Sequence, residues 1–139
     1  MSALSDLGAK LNTDLVTGGF WNGTTGNLGL DFRPPAPDVF YALYSTVSTG
    51  PDDVMGGGGM PYMVRTRIQF SARDVPYEYT TPRGKCVAAQ ASLTSIINTT
   101  IGGTAYYRVE TDGEPFLIGR DDQERCLFVV NFTVIKQPS

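Results

Sequence analysis

The sequence predicts an α+β fold, in which two helices pack on one face of a mixed, mostly antiparallel sheet of four or five strands. Two segments place apolar residues at helical spacing, and several others alternate apolar and polar residues as strands do. Glycine and proline account for 16 and 9 of the 139 residues and concentrate between these segments, which predicts long loops. This length suits a single domain over residues 1–139.

Both predicted helices have apolar residues spaced three and four positions apart. In residues 2–17, leucines recur at positions 4, 7, 11 and 15, so one helix face must lie against a core. A second helix is predicted to start with Thr81 as N-cap before Pro82, to run to about Thr99, and to end at Gly102 and Gly103. Its apolar positions have the same spacing: Cys86, Ala89, Leu93, Ile96 and Ile97.

Five segments have the composition and alternation of strands: 38–48, 62–72, 104–110, and the two arms of a hairpin, 116–118 and 127–135. The second of them places Ile68 and Phe70 on one face and Arg65 and Arg67 on the other. We therefore expect its arginine face to meet water or a partner subunit.

The predicted hairpin has a charged tip, composed of Arg120, Asp121, Asp122, Glu124 and Arg125. Acidic side chains at such a tip could bind a divalent cation, as could the pair at positions 52 and 53. Neither cluster has the ligand spacing and turn glycine of a calcium loop, so no metal site is predicted. The flanking arginines favour ion pairs instead, and the sequence leaves open whether these form within one chain or between subunits.

Two glycine-rich segments, 18–37 and 49–61, are predicted to be loops. The first contains Trp21, which either packs over its own core or contacts a neighbouring subunit. The second contains four consecutive glycines but no following Lys-Ser/Thr or helix, which excludes a phosphate-binding loop. We expect a partner to order it.

The composition excludes several function classes. The chain has no histidine, which removes Ser-His and Cys-His catalysis, and we predict neither catalytic residues nor a cofactor. The net charge of −3 argues against sequence-specific or backbone-driven nucleic-acid binding. Cys86 and Cys126 are expected to be reduced, buried thiols, with one disulfide as the alternative. No apolar run reaches transmembrane length and no signal peptide is evident, which predicts synthesis in a cytosol.

Several stretches together resemble the tail-terminator, or minor capsid, proteins of long-tailed bacteriophages. They are a strand ending in Arg73-Asp74 before an alanine-rich helix, the IGGTAYYRV strand at 101–109, the segment GEPFLIGRDDQER at 113–125, and a terminal strand containing FVVNFTVI at 128–135. The resemblance is most specific over residues 113–136, whereas the two glycine-rich loops depart from it.

The resemblance implies a virion protein, assembled in the host bacterial cytoplasm, that forms a ring, expected to be a hexamer, at the neck of the tail. Such a ring caps the tail tube, stops its polymerisation and joins it to the capsid, so the partners are the tail-tube protein and a head-completion protein. Genome DNA would pass through the lumen. The alternatives are a head-closure connector, a tail-tube subunit or a small metal-binding enzyme. The candidate subunit-interface residues are Arg65, Arg67, Arg120, Asp121, Asp122, Arg125 and Trp21.

Overall fold

The computed structural model describes residues 3–15, 19–52 and 63–137. The helices and strands within these ranges are α1 (Ala3–Asp14), β1 (Leu28–Leu30), β2 (Phe40–Asp52), β3 (Met63–Arg73), α2 (Thr80–Thr94), β4 (Ile97–Ile101), β5 (Thr104–Thr111), β6 (Phe116–Arg120) and β7 (Cys126–Lys136). The predicted α+β class is confirmed. The predicted strand number was too low, because β1 and β4 were not predicted.

The seven strands form one mixed sheet in the order β1-β2-β3-β7-β5-β4, with β6 also paired to β7. Among the strands in the described ranges, β1 and β2 pair in parallel and the other pairs are antiparallel. Strands β5 and β6 follow one another along the same edge of β7, since Thr111 pairs with Phe132 and Phe116 pairs with Val129. Strand β4 pairs with the outer edge of β5.

One apolar core lies between the helices and the sheet. The leucine stripe of α1 is buried as predicted, and Leu7 and Leu11 are fully buried. The same cluster includes Leu93 from α2 and Phe70 and Phe132 from the sheet. Burial of each such side chain contributes about 1.5–3 kcal/mol relative to exposure, so the stripe holds α1 on the sheet.

The predicted bounds of the second helix were wrong. Helix α2 begins at Thr80 after Tyr79, with no side-chain cap, while the Thr81 hydroxyl donates to the Glu78 carboxylate at 3.0 Å. The helix ends at Thr94, and Ile97, expected to face the core, begins β4 with 63% of its surface exposed. The β-branched run at 97–101 pairs with β5, and this long-range pairing prevails over the helical spacing.

The predicted loop at 49–61 begins too early, because β2 continues to Asp52. The rest of that segment, from residue 53, lies outside the described residues, as do residues 16 and 17 of the predicted first helix.

Both cysteines are free and buried, as predicted. Burial raises the pKa of the Cys86 thiol to about 12, which keeps it protonated at neutral pH. Both thiols are fully inaccessible, so each behaves as a small apolar core residue.

A buried carboxylate links the first helix to the β4–β5 turn. Asp6 is 1% exposed and accepts a hydrogen bond from the Tyr106 hydroxyl at 2.5 Å. Burial, and then Asp6, raise the pKa of that phenol. The second carboxylate oxygen of Asp6 has no hydrogen-bond partner within the described chain. Gly102 lies against this oxygen, and a Cβ there would overlap it.

We predict that Gly102→Ala destabilises the protein more than Gly103→Ala. Both glycines have positive φ, 57° and 81°, so each alanine pays a backbone cost of about 1–2 kcal/mol. A Cβ at Gly103 meets nothing within 4 Å, whereas one at Gly102 meets the Asp6 carboxylate. Urea unfolding should therefore show about 1–3 kcal/mol of additional loss for Gly102→Ala. Equal losses would mean that the Asp6 contact contributes nothing.

Candidate interaction surfaces

The charged hairpin tip is organised by Asp121. Its Oδ1 accepts the backbone N–H groups of Gln123 and Arg125, both at 3.0 Å. The Asp121 N–H donates to the Arg125 carbonyl at 3.1 Å, and Glu124 takes a positive φ of 61°. An aspartate that accepts backbone hydrogen bonds two and four residues ahead fixes a tight turn. The tip is therefore a defined structure within one chain.

Arg125 joins this tip to a distant loop. Its side chain is 4% exposed, and its Nε donates to Asp121 Oδ2 at 2.7 Å. Its Nη1 donates to the Pro35 carbonyl at 2.7 Å and to Asp38 Oδ1 at 3.1 Å. The structure thus shows Arg125 and Asp121 paired within the chain, which was one of the two alternatives. Their part in a subunit interface stays a prediction.

Arg73, at the end of β3, holds the same loop. Its guanidinium donates to the carbonyls of Pro34, Pro37 and Asp38 at 2.8, 2.5 and 3.0 Å. It also lies over the Phe40 ring, 5.8 Å from the centroid. We name Arg73 and Arg125, with the loop 34–38 that they hold, the arginine clamp.

Burial of the clamp carries an electrostatic cost. Desolvation, followed by the nearby positive charge of Arg125, lowers the pKa of Arg73 to about 10. The guanidinium is still protonated at neutral pH, because the carbonyl oxygens around it replace water as acceptors. This cluster was not predictable from the sequence, because each arginine lies 35 to 90 residues from the loop carbonyls that it binds.

Trp21 contacts its own chain. Its ring lies 5.3 Å from that of Phe32, which in turn lies 6.4 Å from that of Phe40. Its backbone N–H donates to the Leu28 carbonyl at 2.9 Å, beside the bridge between Phe20 and Leu28. The segment 18–37, predicted as a loop, therefore contains β1 and covers the outer edge of that strand. An interface role for Trp21 stays a prediction.

The sheet face opposite the helices carries an arginine face, formed by Arg65, Arg67 and Arg108. Arg65 and Arg67 on β3 are exposed, opposite in direction to the buried Ile68 and Phe70 of the same strand, as predicted. Arg65 and Arg108 are the register partners of Ile135 on its two sides. Arg108 was not predicted as a candidate, because strict alternation groups it with Tyr106, which is buried. The register shift between Tyr106 and Arg108 turns Arg108 to the exposed face.

Strand β6 has an exposed apolar surface. Phe116, Leu117 and Ile118 are 46%, 41% and 55% exposed, so both faces of the strand are accessible. The sequence predicted an apolar hairpin arm here but not its exposure. Arg120 and Glu124 close the tip beyond it, with 3.5 Å between Nη1 and Oε2 and each side chain half exposed.

The acidic residues at the tip form no metal-binding cluster. Among the described residues, no group of three His, Cys, Asp or Glu side chains is placed to hold a metal ion. Asp121 is engaged by Arg125 and by backbone N–H groups. Of the alternative pair at 52 and 53, Asp53 lies outside the described residues. No helix in the described ranges is long and apolar enough to cross a membrane.

Comparisons with known proteins find similarity in structure alone. No protein-family model matches the sequence, and no curated protein matches it. A chain of a solved virion shares the fold. That structure is described as the virion of a native gene transfer agent (GTA) particle. The TM-score is 0.66 at 11% identity, and the match covers 99% of this chain and 96% of the virion chain. The similarity establishes a common architecture over nearly the whole of both chains.

We predict that Arg125→Lys destabilises the protein by about 3 kcal/mol, because a lysine cannot reproduce the fork that reaches Asp121, Pro35 and Asp38 together. The matched control is Arg120→Lys at the exposed end of the same tip, for which a change within about 0.5 kcal/mol is expected. Urea unfolding measures both. Similar values for the two variants would show that the clamp adds no stability.

We also predict that Asp121 contributes to stability in a pH-dependent manner. Its partial burial acts to raise the pKa, but hydrogen bonds from Arg125 and Gln123 outweigh this and lower it. The contribution is therefore present above the unfolded pKa of about 3.9 and is lost as pH falls through the lower folded pKa. Asp121→Asn should lower the free energy of unfolding at neutral pH and should make its decline below about pH 4 less steep. Asp122→Asn is the control, and an identical acid profile for both variants would contradict the prediction.

Proposed function

We propose that this chain is a structural protein of a bacteriophage-type virion. The observation that carries the proposal is the fold shared with a virion chain over 99% of this chain and 96% of the other. Matching lengths mean that whole chains correspond, which a shared small motif would not require. The resemblance of residues 113–136 to tail-terminator proteins supports the same class independently.

Within that class, the proposed role is that of a tail terminator. Copies close into a ring, expected to be a hexamer, at the head-proximal end of the tail. The ring caps the tail tube, stops its polymerisation and meets a head-completion protein at the neck. With a net charge of −3, a ring of such chains would not retain DNA passing through its lumen.

The chain has two surfaces of different character, and such a pair supports a ring. A head-to-tail contact closes into a ring when the rotation between copies allows it. The arginine face is one candidate surface, and the exposed tip residues Asp122 and Glu124 are an oppositely charged partner for it. Asp121 and Arg125 act by holding the tip in shape, and Trp21 by packing the adjacent loop.

The competing roles differ in what they require. A tail-tube subunit or a head-closure connector would also be a virion component, so the shared fold does not separate them from a terminator. A metal-binding enzyme would require a ligand cluster, and at the tip Asp121 is engaged in the turn.

Imaging of purified particles that carry an epitope tag on this chain tests the role. Antibody label is expected as one cluster at the head-proximal end of the tail. Label along the whole tube would assign a tube subunit, and label on the capsid portal alone would assign a connector. Absence of the chain from purified particles would overturn the virion proposal.

We predict that the double substitution Arg65→Glu and Arg67→Glu abolishes self-assembly. Charge reversal would place like charges opposite the acidic tip of the next copy, which costs association free energy. Light scattering measures the assembly, and thermal unfolding checks that each variant is folded. The control Arg83→Glu reverses an exposed charge on α2 and should assemble normally. A folded double variant that still assembles would remove the arginine face from the contact.

A further inference from the structure

Two strands of the sheet, β4 and β6, end the sheet with an open edge. Within the described residues, β4 pairs only with β5 and β6 pairs only with β7. Ile97 in β4 and Ile118 in β6 are 63% and 55% exposed. An open edge presents a row of N–H and C=O groups, which makes it a template for one more strand.

The protein covers its other edge. On the far side of the sheet, the segment around Phe20 bridges to Leu28, and the Trp21 N–H donates to the Leu28 carbonyl. Natural sheets also protect open edges with lysine, proline or inward charges. Strand β4, with the sequence INTTI, has none of these, and β6 has a single charge at its last residue, Arg120. Within the described residues no further strand covers either edge, although Asn98 in β4 has a positive φ of 47° and the register of β6 shifts between Leu117 and Gly119.

The two edges also differ in depth. Strands β5 and β6 follow one another along β7, and β4 adds a further strand outside β5 only. The outer edge of β6 is therefore recessed by one strand relative to that of β4, a spacing of about 4.8 Å. Strands β4 and β6 are both 5 residues long. A strand with the length of β4 would fill the recess.

We propose that β4 of one copy pairs with β6 of a second copy, so that the sheet continues across the contact. The inference rests on the self-assembly included in the proposed function and specifies its backbone contact. A second copy is favoured over a foreign strand because every copy carries one β4 edge and one β6 edge. Each edge can therefore find its partner on another copy. The exposed apolar side chains on β6 then become buried against the neighbour.

Charge favours the antiparallel orientation of this pair. Ile97, at the start of β4, is the register partner of Arg108 in the arginine face. Strand β6 leads directly into the tip that carries Asp122 and Glu124. Antiparallel pairing brings that acidic tip to the Ile97 end of the neighbouring β4, beside Arg108. Parallel pairing would bring it to the Ile101 end, followed by two uncharged glycines.

Cysteine cross-linking between separately purified variants tests the pairing. Thr99→Cys and Ile118→Cys place one exposed thiol at the centre of β4 and of β6. The natural thiols Cys86 and Cys126 are fully buried and do not compete. On oxidation, the mixture should give a covalent mixed disulfide dimer on a denaturing gel, while each variant alone gives no covalent dimer.

The matched control is Val87→Cys, at an exposed apolar position on α2. Its mixture with Ile118→Cys should give only background dimer. Disulfide dimers of Thr99→Cys alone or of Ile118→Cys alone would indicate like-with-like pairing and overturn the proposal. A mixed-dimer yield no higher than that of the control would also overturn it.

A chain that carries both substitutions separates this inference from the proposed ring. If each copy contacts two different neighbours, oxidation gives a ladder of covalent multimers that ends at the size of the ring. If two copies exchange β4 strands reciprocally, the products stop at the dimer. The second result would keep the strand pairing and reject the ring, whereas loss of all cross-links rejects the strand pairing.

Discussion

Strand β7 is the constraint on which the rest of the sheet depends. One of its edges pairs with β3, and the other pairs with β6 and then β5. Its side chains are buried along both faces, except that Asn131 is partly exposed and hydrogen bonds to Gln69 at 3.0 Å. A slip of one residue would exchange Phe132 with Thr133 in the core. Because both edges and both faces are occupied, the register of β7 determines where the helices, hairpin and arginine face lie.

The arginine clamp supplies hydrogen-bond donors to the loop 34–38. Helices cover one face of the sheet, whereas the other face near the start of β7 is covered by the loop 34–38. Three of its five residues are prolines, which lack N–H groups, and its carbonyls need donors that a helix or strand would otherwise supply. Arg73 and Arg125 provide those donors. The same contacts tie the loop to the hairpin tip, so two distant segments form one surface.

Periodic features were predictable from the sequence and long-range ones were not. The leucine stripe of α1 and the alternation of β3 report burial directly, and both were predicted correctly. Strand β1 has only three residues, too few for a period, and it depends on pairing with β2. The helical spacing of apolar residues continues to Ile96 and Ile97, beyond the end of α2 at Thr94. The helix does not continue with it, because residues 97–101 form β4 and hydrogen bond to β5. The sequence alone indicates a surface charge at Arg125, because its partners Pro35 and Asp38 lie about ninety positions away.

Open edges explain how a small acidic chain could assemble without aggregating. Flat, unlimited edges promote fibrous stacking, in which every added strand exposes a new edge. Here β6 is only five residues long and leads directly into the charged tip. In the proposed contact, β4 of a second copy pairs with β6, so that edge is no longer open. Copies joined in this way leave an open β4 and an open β6 only at the two ends of a chain of subunits. Closure into a ring joins those ends, so a closed ring, like the reciprocal dimer, leaves none of these edges open.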